Sequence, residues 1–217
     1  MILSDPTAGL ISPTLTKLLR ALTREQIPRT GRELARIAEI SSAQGNSLLR
    51  RLTGLGLVIE TPKRPAKLYE LNKFHCLVPQ IMGLLGGFDL ILEQLEKQVG
   101  KLPTTPEIAV LFGSVMRGED HESSDLDLYL VFSDAVLMDK GQLLESTADM
   151  SEHLHSLTGN SLNVLVQKMS DLRTNFESRS RFLVNLLSDG RVLTGWDVLE
   201  ELKQEYRWKT TQKGQSN

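Results

Sequence analysis

The segment Leu111 to Phe132, LFGSVMRGEDHESSDLDLYLVF, carries a Gly-Ser pair, an Arg-Gly pair and two aspartates in alternation. An apolar run, EIAVLF, leads directly into Gly113 and Ser114, so a strand is expected to end on a small-residue turn before a helix begins. Such a turn offers backbone N–H groups to an anion. Glycine lets a phosphate come close, and the serine hydroxyl adds a donor. Asp125 and Asp127 stand two apart on the next strand-like run, which directs both carboxylates to one face. Two like charges so close call for a cation, and hard carboxylate oxygens suit Mg2+ (or Mn2+) shared with substrate phosphates. Phosphate grip plus a two-carboxylate platform is the apparatus of metal-assisted nucleotidyl transfer. A turn followed by two surface acids is the plain alternative.

Gly113-Ser114, ten residues, then Asp125-Leu126-Asp127 resembles the G-S-x10-D-x-D signature of the DNA polymerase beta-like nucleotidyltransferase superfamily, in particular its minimal nucleotidyltransferases. The resemblance runs from about Pro106 to Gly195. It implies that Gly113 and Ser114 hold the phosphates of a nucleoside triphosphate and that Asp125 and Asp127 bind the metal. Arg117 would contact phosphate or support the loop; a structural ion pair is an equal reading. The family pattern also has a third carboxylate on a neighbouring strand, which completes the metal site and helps deprotonate the attacking hydroxyl. In SLNVLVQ the position that aligns with it is Asn163. An amide cannot accept that proton, and it coordinates Mg2+ only weakly. Glu119, Asp120 and Glu122, in the loop before the aspartates, are the other acids at hand.

The elements that would present this site belong to a chain of uneven charge. Residues 1–75 hold 12 Lys and Arg against 6 Asp and Glu, and the remainder holds 13 against 21. A basic first third on an acidic remainder suggests two modules with different partners. In the basic part, Leu15, Leu18, Leu19 and Leu22 recur at helical spacing, predicting a helix over 13–24 that breaks at IPRT. Thr30 with Glu33 is a capping-box signature for a second helix. Ser41 or Ser42 caps a third, with Leu48, Leu49, Leu52 and Leu55 expected inward and Gly54 and Gly56 at its end. GLVIE and KLYELN flank the tip TPKRPA, a hairpin stiffened by two prolines.

Two short helices, a tight turn and a basic hairpin make a helix-turn-helix with a wing. The stretch Leu15 to Asn72 resembles the winged-helix domains of MarR- and ArsR-type transcriptional regulators, chiefly through TGRELARIAEISSAQGNSLLRRLTGLGLV. Gln44, Asn46, Ser47, Arg50 and Arg51 are expected on the exposed side of the third helix, where Gln and Asn match adenine edges and Arg matches guanine or phosphate. Lys63 and Arg64 at the hairpin tip would reach backbone or minor groove. A winged helix used only for protein contacts is the competing reading. Gly45 stands where such helices carry an aliphatic residue, at a cost of about 1 kcal/mol relative to alanine. Close approach of backbone to DNA, or a loose helix, would account for it.

Between the modules, Ile81 to Val99 reads as one amphipathic helix, weakened by Gly83, Gly86 and Gly87. A single cysteine, Cys76, leaves no disulfide framework. The histidines (His75, His121, His153, His155) lack zinc-ligand spacing. No basic-then-apolar leader opens the chain, and no run reaches the roughly 18 apolar residues of a membrane span. A cytoplasmic protein without membrane contact is expected. The expected architecture is α/β (α+β) in two domains: a winged helix-turn-helix at 1–76, a linker helix at 77–104, a nucleotidyltransferase-like domain with a small mixed sheet flanked by helices at 105–207, and a flexible tail at 208–217. The expected function is a DNA-binding transcriptional regulator, dimeric, whose second domain binds Mg2+ and a nucleoside triphosphate. The alternative is an active nucleotidyltransferase that modifies a protein or small molecule. Its protein form would be an antitoxin that acts on a toxin partner and autorepresses its operon.

Overall fold

The computed structural model describes residues 1–135 and 140–207, so the expected tail at 208–217 lies outside the described residues. Two compact units divide the chain. One is Asp5–Phe88; the other joins Met1–Ser4 to the chain from Asp89 onward.

The first unit opens with α1 (Pro13–Arg24), capped by Ser12, whose hydroxyl accepts from Leu15 N. The two-residue strand β1 (Arg29–Thr30) follows, then α2 (Gly31–Ile37) and α3 (Ser42–Gly54). The expected capping box of Thr30 with Glu33 forms, and Ser41, not Ser42, caps α3, in a second box with Gln44. Each cap contributes about 1 kcal/mol by satisfying N–H groups a helix start would leave open. The hairpin is β2 (Val58–Lys63) and β3 (Ala66–Leu71), with Lys63 facing Ala66 at the tip. Arg29 and Thr30 pair with Tyr69 and Leu68 of β3, so the sheet has the order β1-β3-β2. The sequence reading of IPRT as a simple break missed this strand.

Leu18, Leu19 and Leu22 of α1, Leu34 of α2, and Leu49 and Leu52 of α3 meet Val58, Tyr69 and Leu71 in one buried core. Leu55, expected inward, is the α3 C-cap and lies 57% exposed, while Leu57 is buried two residues on. Gly56 causes the change: its φ of +78° turns the chain before Leu57. Gly45 is explained by helix packing. It is buried, and a Cβ there would come within 2.9 Å of Ala35 Cβ on α2. The glycine lets α2 and α3 approach closely, and contact with DNA is not required to account for it.

The single helix expected over 81–99 is two. α4 (Val78–Leu85) carries Pro79 in its first turn and stops at Gly86, and α5 (Gly87–Val99) follows at once. Consecutive glycines at 86 and 87 make that break inexpensive.

The second unit is built on β4 (Ile108–Phe112), β5 (Leu126–Phe132), β6 (Leu162–Lys168) and β7 (Arg191–Thr194), in the order β6-β5-β4-β7. β4 runs antiparallel to β5 and β7, and β5 runs parallel to β6. The helices are α6 (Ser114–Arg117), α7 (Lys140–Thr158), α8 (Met169–Ser178), α9 (Arg181–Asp189) and α10 (Trp196–Glu205). Ile108, Val110, Tyr129 and Val131 point from one sheet face into a core with Leu172 and Phe176 of α8, Leu183 and Leu186 of α9, and Leu199 and Leu202 of α10. The alternate residues Ala109, Leu111, Leu128 and Leu130 are also fully buried. The central strands are therefore covered on both faces, which is why they read as unbroken apolar runs. Among the described residues, no helix is long and apolar enough to cross a membrane.

Candidate functional site

β4 delivers the chain to Gly113, whose φ of +88° and ψ of −159° belong to a region open essentially to glycine alone. A Cβ at this position would overlap Oδ2 of Asp127. The backbone of the turn therefore lies directly against the carboxylate that β5 supplies. Ser114 opens α6, whose first N–H groups have no partner within so short a helix. The register places Asp127 opposite Phe112 on β4 and beside Asn163 on β6. Asp125 precedes β5, and Leu126 N donates to Ser161 O at 2.9 Å, which fixes the entry of that strand.

Asn163 joins the two acids. Its Nδ2 donates to Asp125 Oδ2 at 3.1 Å and to Asp127 Oδ1 at 3.2 Å. The structure thus brings Asp125, Asp127 and Asn163 together, with one amide donating to both carboxylates. The amide offsets part of the repulsion between the two carboxylates, as a cation would more fully. Two convergent carboxylates are hard-oxygen ligands of the kind that would hold Mg2+ or Mn2+. Among the described residues no group of three His, Cys, Asp or Glu side chains is arranged to hold a metal.

Arg117 forms an ion pair: its Nε donates to Glu119 Oε2 at 2.7 Å. That hydrogen bond, with added charge from Asp189 and Asp127, lifts the guanidinium further above its ordinary range. Arg117 thus sits in the field of the site, at its acidic rim. Of the other loop acids, Asp120 is also engaged. Its Oδ2 accepts from Leu3 N at 2.7 Å and Ser4 N at 3.0 Å, and its Oδ1 accepts from the Ser4 hydroxyl.

One positioning residue escaped the sequence reading. Asn160 is 4% exposed, and its Nδ2 donates to Glu122 O at 3.1 Å and Ser124 O at 2.9 Å. It holds the loop that ends at Asp125. The only signal was a Gly-Asn turn before SLNV, and turn residues rarely announce which backbone they will hold.

On the first unit, Gln44, Asn46, Ser47, Arg50 and Arg51 are all exposed on α3, and Lys63 and Arg64 are exposed at the hairpin tip. Among the described residues none of these four cations has a carboxylate within ion-pair distance. Gln44 is partly committed: its Oε1 accepts from Ser41 N at 3.2 Å and from the Ser41 hydroxyl at 2.9 Å. Asn46 lies against α2, where a Cβ on Gly31 would come within 2.7 Å of its Oδ1.

Residues 93–197 match the family model for polymerase beta, nucleotidyltransferase. No curated protein matches the chain. Among solved structures, a chain from a toxin–antitoxin structure with AMP-PNP is 18% identical, with 54% of this chain and 83% of that chain covered and a TM-score of 0.37. A proposed nucleotidyltransferase from Sulfolobus solfataricus is 16% identical, with 48% and 79% covered and a TM-score of 0.31.

Proposed function

We propose that this chain is a DNA-binding regulator whose nucleotidyltransferase domain holds a Mg2+-bound nucleoside triphosphate and transfers nucleotide poorly. The observation that carries this reading is the Asn163 amide hydrogen-bonded to both aspartates. Ground-state binding draws on the Gly113 turn, the Ser114 hydroxyl and the carboxylates of Asp125 and Asp127. Bound there, the metal ion supplies charge neutralisation for the triphosphate. Transfer also needs a base for the acceptor hydroxyl, and an amide cannot serve as one. Glu119 and Asp120 are already paired with Arg117 and with residues 3 and 4. An active transferase, whether an antitoxin modifying a toxin partner or an enzyme acting on a small molecule, would need its base from elsewhere.

Isothermal titration with each ribonucleoside triphosphate tests the nucleotide part. Binding is expected only with Mg2+ or Mn2+, and the double variant Asp125→Asn, Asp127→Asn is expected to lose the metal-dependent part. A wild-type protein that binds no triphosphate with metal present would show the fold is used as scaffold.

The DNA part is supported by the cations of α3 and the hairpin tip, which have no ion-pair partner among the described residues and give the first unit a basic surface suited to duplex DNA. A dimer would present two such helices to half-sites about one helical turn apart on duplex DNA. Affinity is expected to fall steeply with salt as phosphate contacts release counterions. Arg50→Ala with Arg51→Ala is expected to weaken binding far more than Arg179→Ala with Arg181→Ala. Equal losses from both pairs in a mobility-shift titration would remove α3 as the reader.

A further inference from the structure

The Gly113 turn and the two aspartates would meet the phosphates and metal of a nucleotide, which leaves its base. The carboxylate face of the sheet continues past Asp127 to Tyr129, and across the ladder to Phe112. Phe182, in the first turn of α9, lies over these two rings. Its centroid is 5.6 Å from that of Phe112 at 89°, and 5.3 Å from that of Tyr129 at 68°. Phe112 is the direct ladder partner of Asp127, and Tyr129 follows Asp127 on the same face, so Phe182 packs on the two rings next to Asp127 in the sheet.

Phe182 shares its part-exposure with Phe112. Leu183 and Leu186 of the same helix are fully enclosed, whereas Phe182 stays part-exposed beside a charged site. The part of the ring left open can take one more planar partner in the offset or edge arrangements that aromatic rings favour. Two T-shaped contacts hold the ring in place, so a partner would meet a surface already ordered. Tyr129 cannot take the role itself. It is fully buried, its hydroxyl donates to Gln167 Oε1 at 2.5 Å, and burial, with the charge of Asp171, pushes its phenol well above the usual range.

We propose that Phe182 is the wall on which the nucleobase of the bound triphosphate stacks. The inference rests on the nucleotide reading above and adds the part of the ligand that reading leaves unaddressed. A π-face recognises any base, so the wall supplies affinity with little base preference.

The test compares ribonucleoside triphosphates with ribose 5-triphosphate, which keeps sugar and phosphates and lacks the base, by calorimetry with Mg2+ on the full chain. Phe182→Leu is expected to weaken nucleoside triphosphates about 5- to 100-fold, the range spanned by stacking one base on an aromatic ring. Ribose 5-triphosphate affinity is expected to stay unchanged in the same variant. Equal losses for both ligands, or none for either, would overturn the proposal, as would a wild type that binds the two equally well. That last comparison needs no variant and so does not depend on Phe182→Leu folding. A wild type that binds neither ligand overturns the nucleotide reading and this inference with it. Binding of ribose 5-triphosphate without any gain from a base overturns this inference alone.

Discussion

Asn163→Asp is expected to raise Mg2+-dependent nucleotidyl transfer by about 10²–10⁴-fold, the usual worth of general-base assistance. The substitution is nearly isosteric and keeps the position that β6 presents beside Asp127. It replaces an amide donor that reaches both aspartates with an acid that can take the acceptor's proton and ligate the metal. Without metal, three carboxylates would crowd one another and the two amide hydrogen bonds would be gone. The variant is therefore expected to depend more on Mg2+ for thermal stability than the wild type does. Incubation with labelled triphosphates, with and without lysate as acceptor source, reads the rate. Melting with and without Mg2+ reads the site itself, even where the acceptor is missing. A wild type already fast, and slowed by the substitution, would show that another group serves as base.

Gly113→Ala is expected to abolish metal-dependent triphosphate binding, a loss of about 100-fold or more, because strain and displacement act together. The backbone at residue 113 has a conformation that L side chains rarely adopt, and the added methyl would overlap Asp127 Oδ2. Either the turn shifts or the aspartate does, and each movement separates phosphate donors from metal ligands. Calorimetry on the variant checks this, with circular dichroism to show that the sheet is retained. An unchanged affinity would mean that the turn and Asp127 do not act on one ligand.

Local chemistry was the most legible part of this fold. The Thr30-x-x-Glu33 box and a serine cap at 41 or 42 could be read because such caps satisfy their own helix starts and do not depend on distant packing. The buried strands of the second unit were equally plain, since coverage on both faces leaves an unbroken apolar run. Features set by tertiary partners were hidden. β1 is two residues long and exists only because β3 is beside it. Leu55 continues the apolar spacing of α3, yet Gly56 ends the helix and gives the interior position to Leu57. Gly45 invited an explanation from DNA, and the cause is Ala35 on the adjoining helix. At the site, the spacing of Gly113, Asp125 and Asp127 could be read directly. The hydrogen bonds of Asn160 and the commitment of Asp120 to residues 3 and 4 could not, because they join segments more than thirty residues apart.

Residues 1–4 give the chain an order that a linear domain diagram would misstate. Leu3 is fully buried and grouped with the second unit, and Leu3 and Ser4 hold Asp120, yet the next 84 residues, Asp5–Phe88, form the other unit. The first unit is therefore an insertion, and no single cut separates the two. A fragment starting at Asp89 would carry a hole where Leu3 packs and would strip Asp120 of three hydrogen-bond donors. An emptied leucine site typically costs about 2–5 kcal/mol. The loop so loosened is the one that ends at Asp125. The second unit, expressed by the obvious truncation, would be weakened at the place its chemistry depends on; the same fragment with residues 1–4 rejoined through a short Gly/Ser linker would keep it.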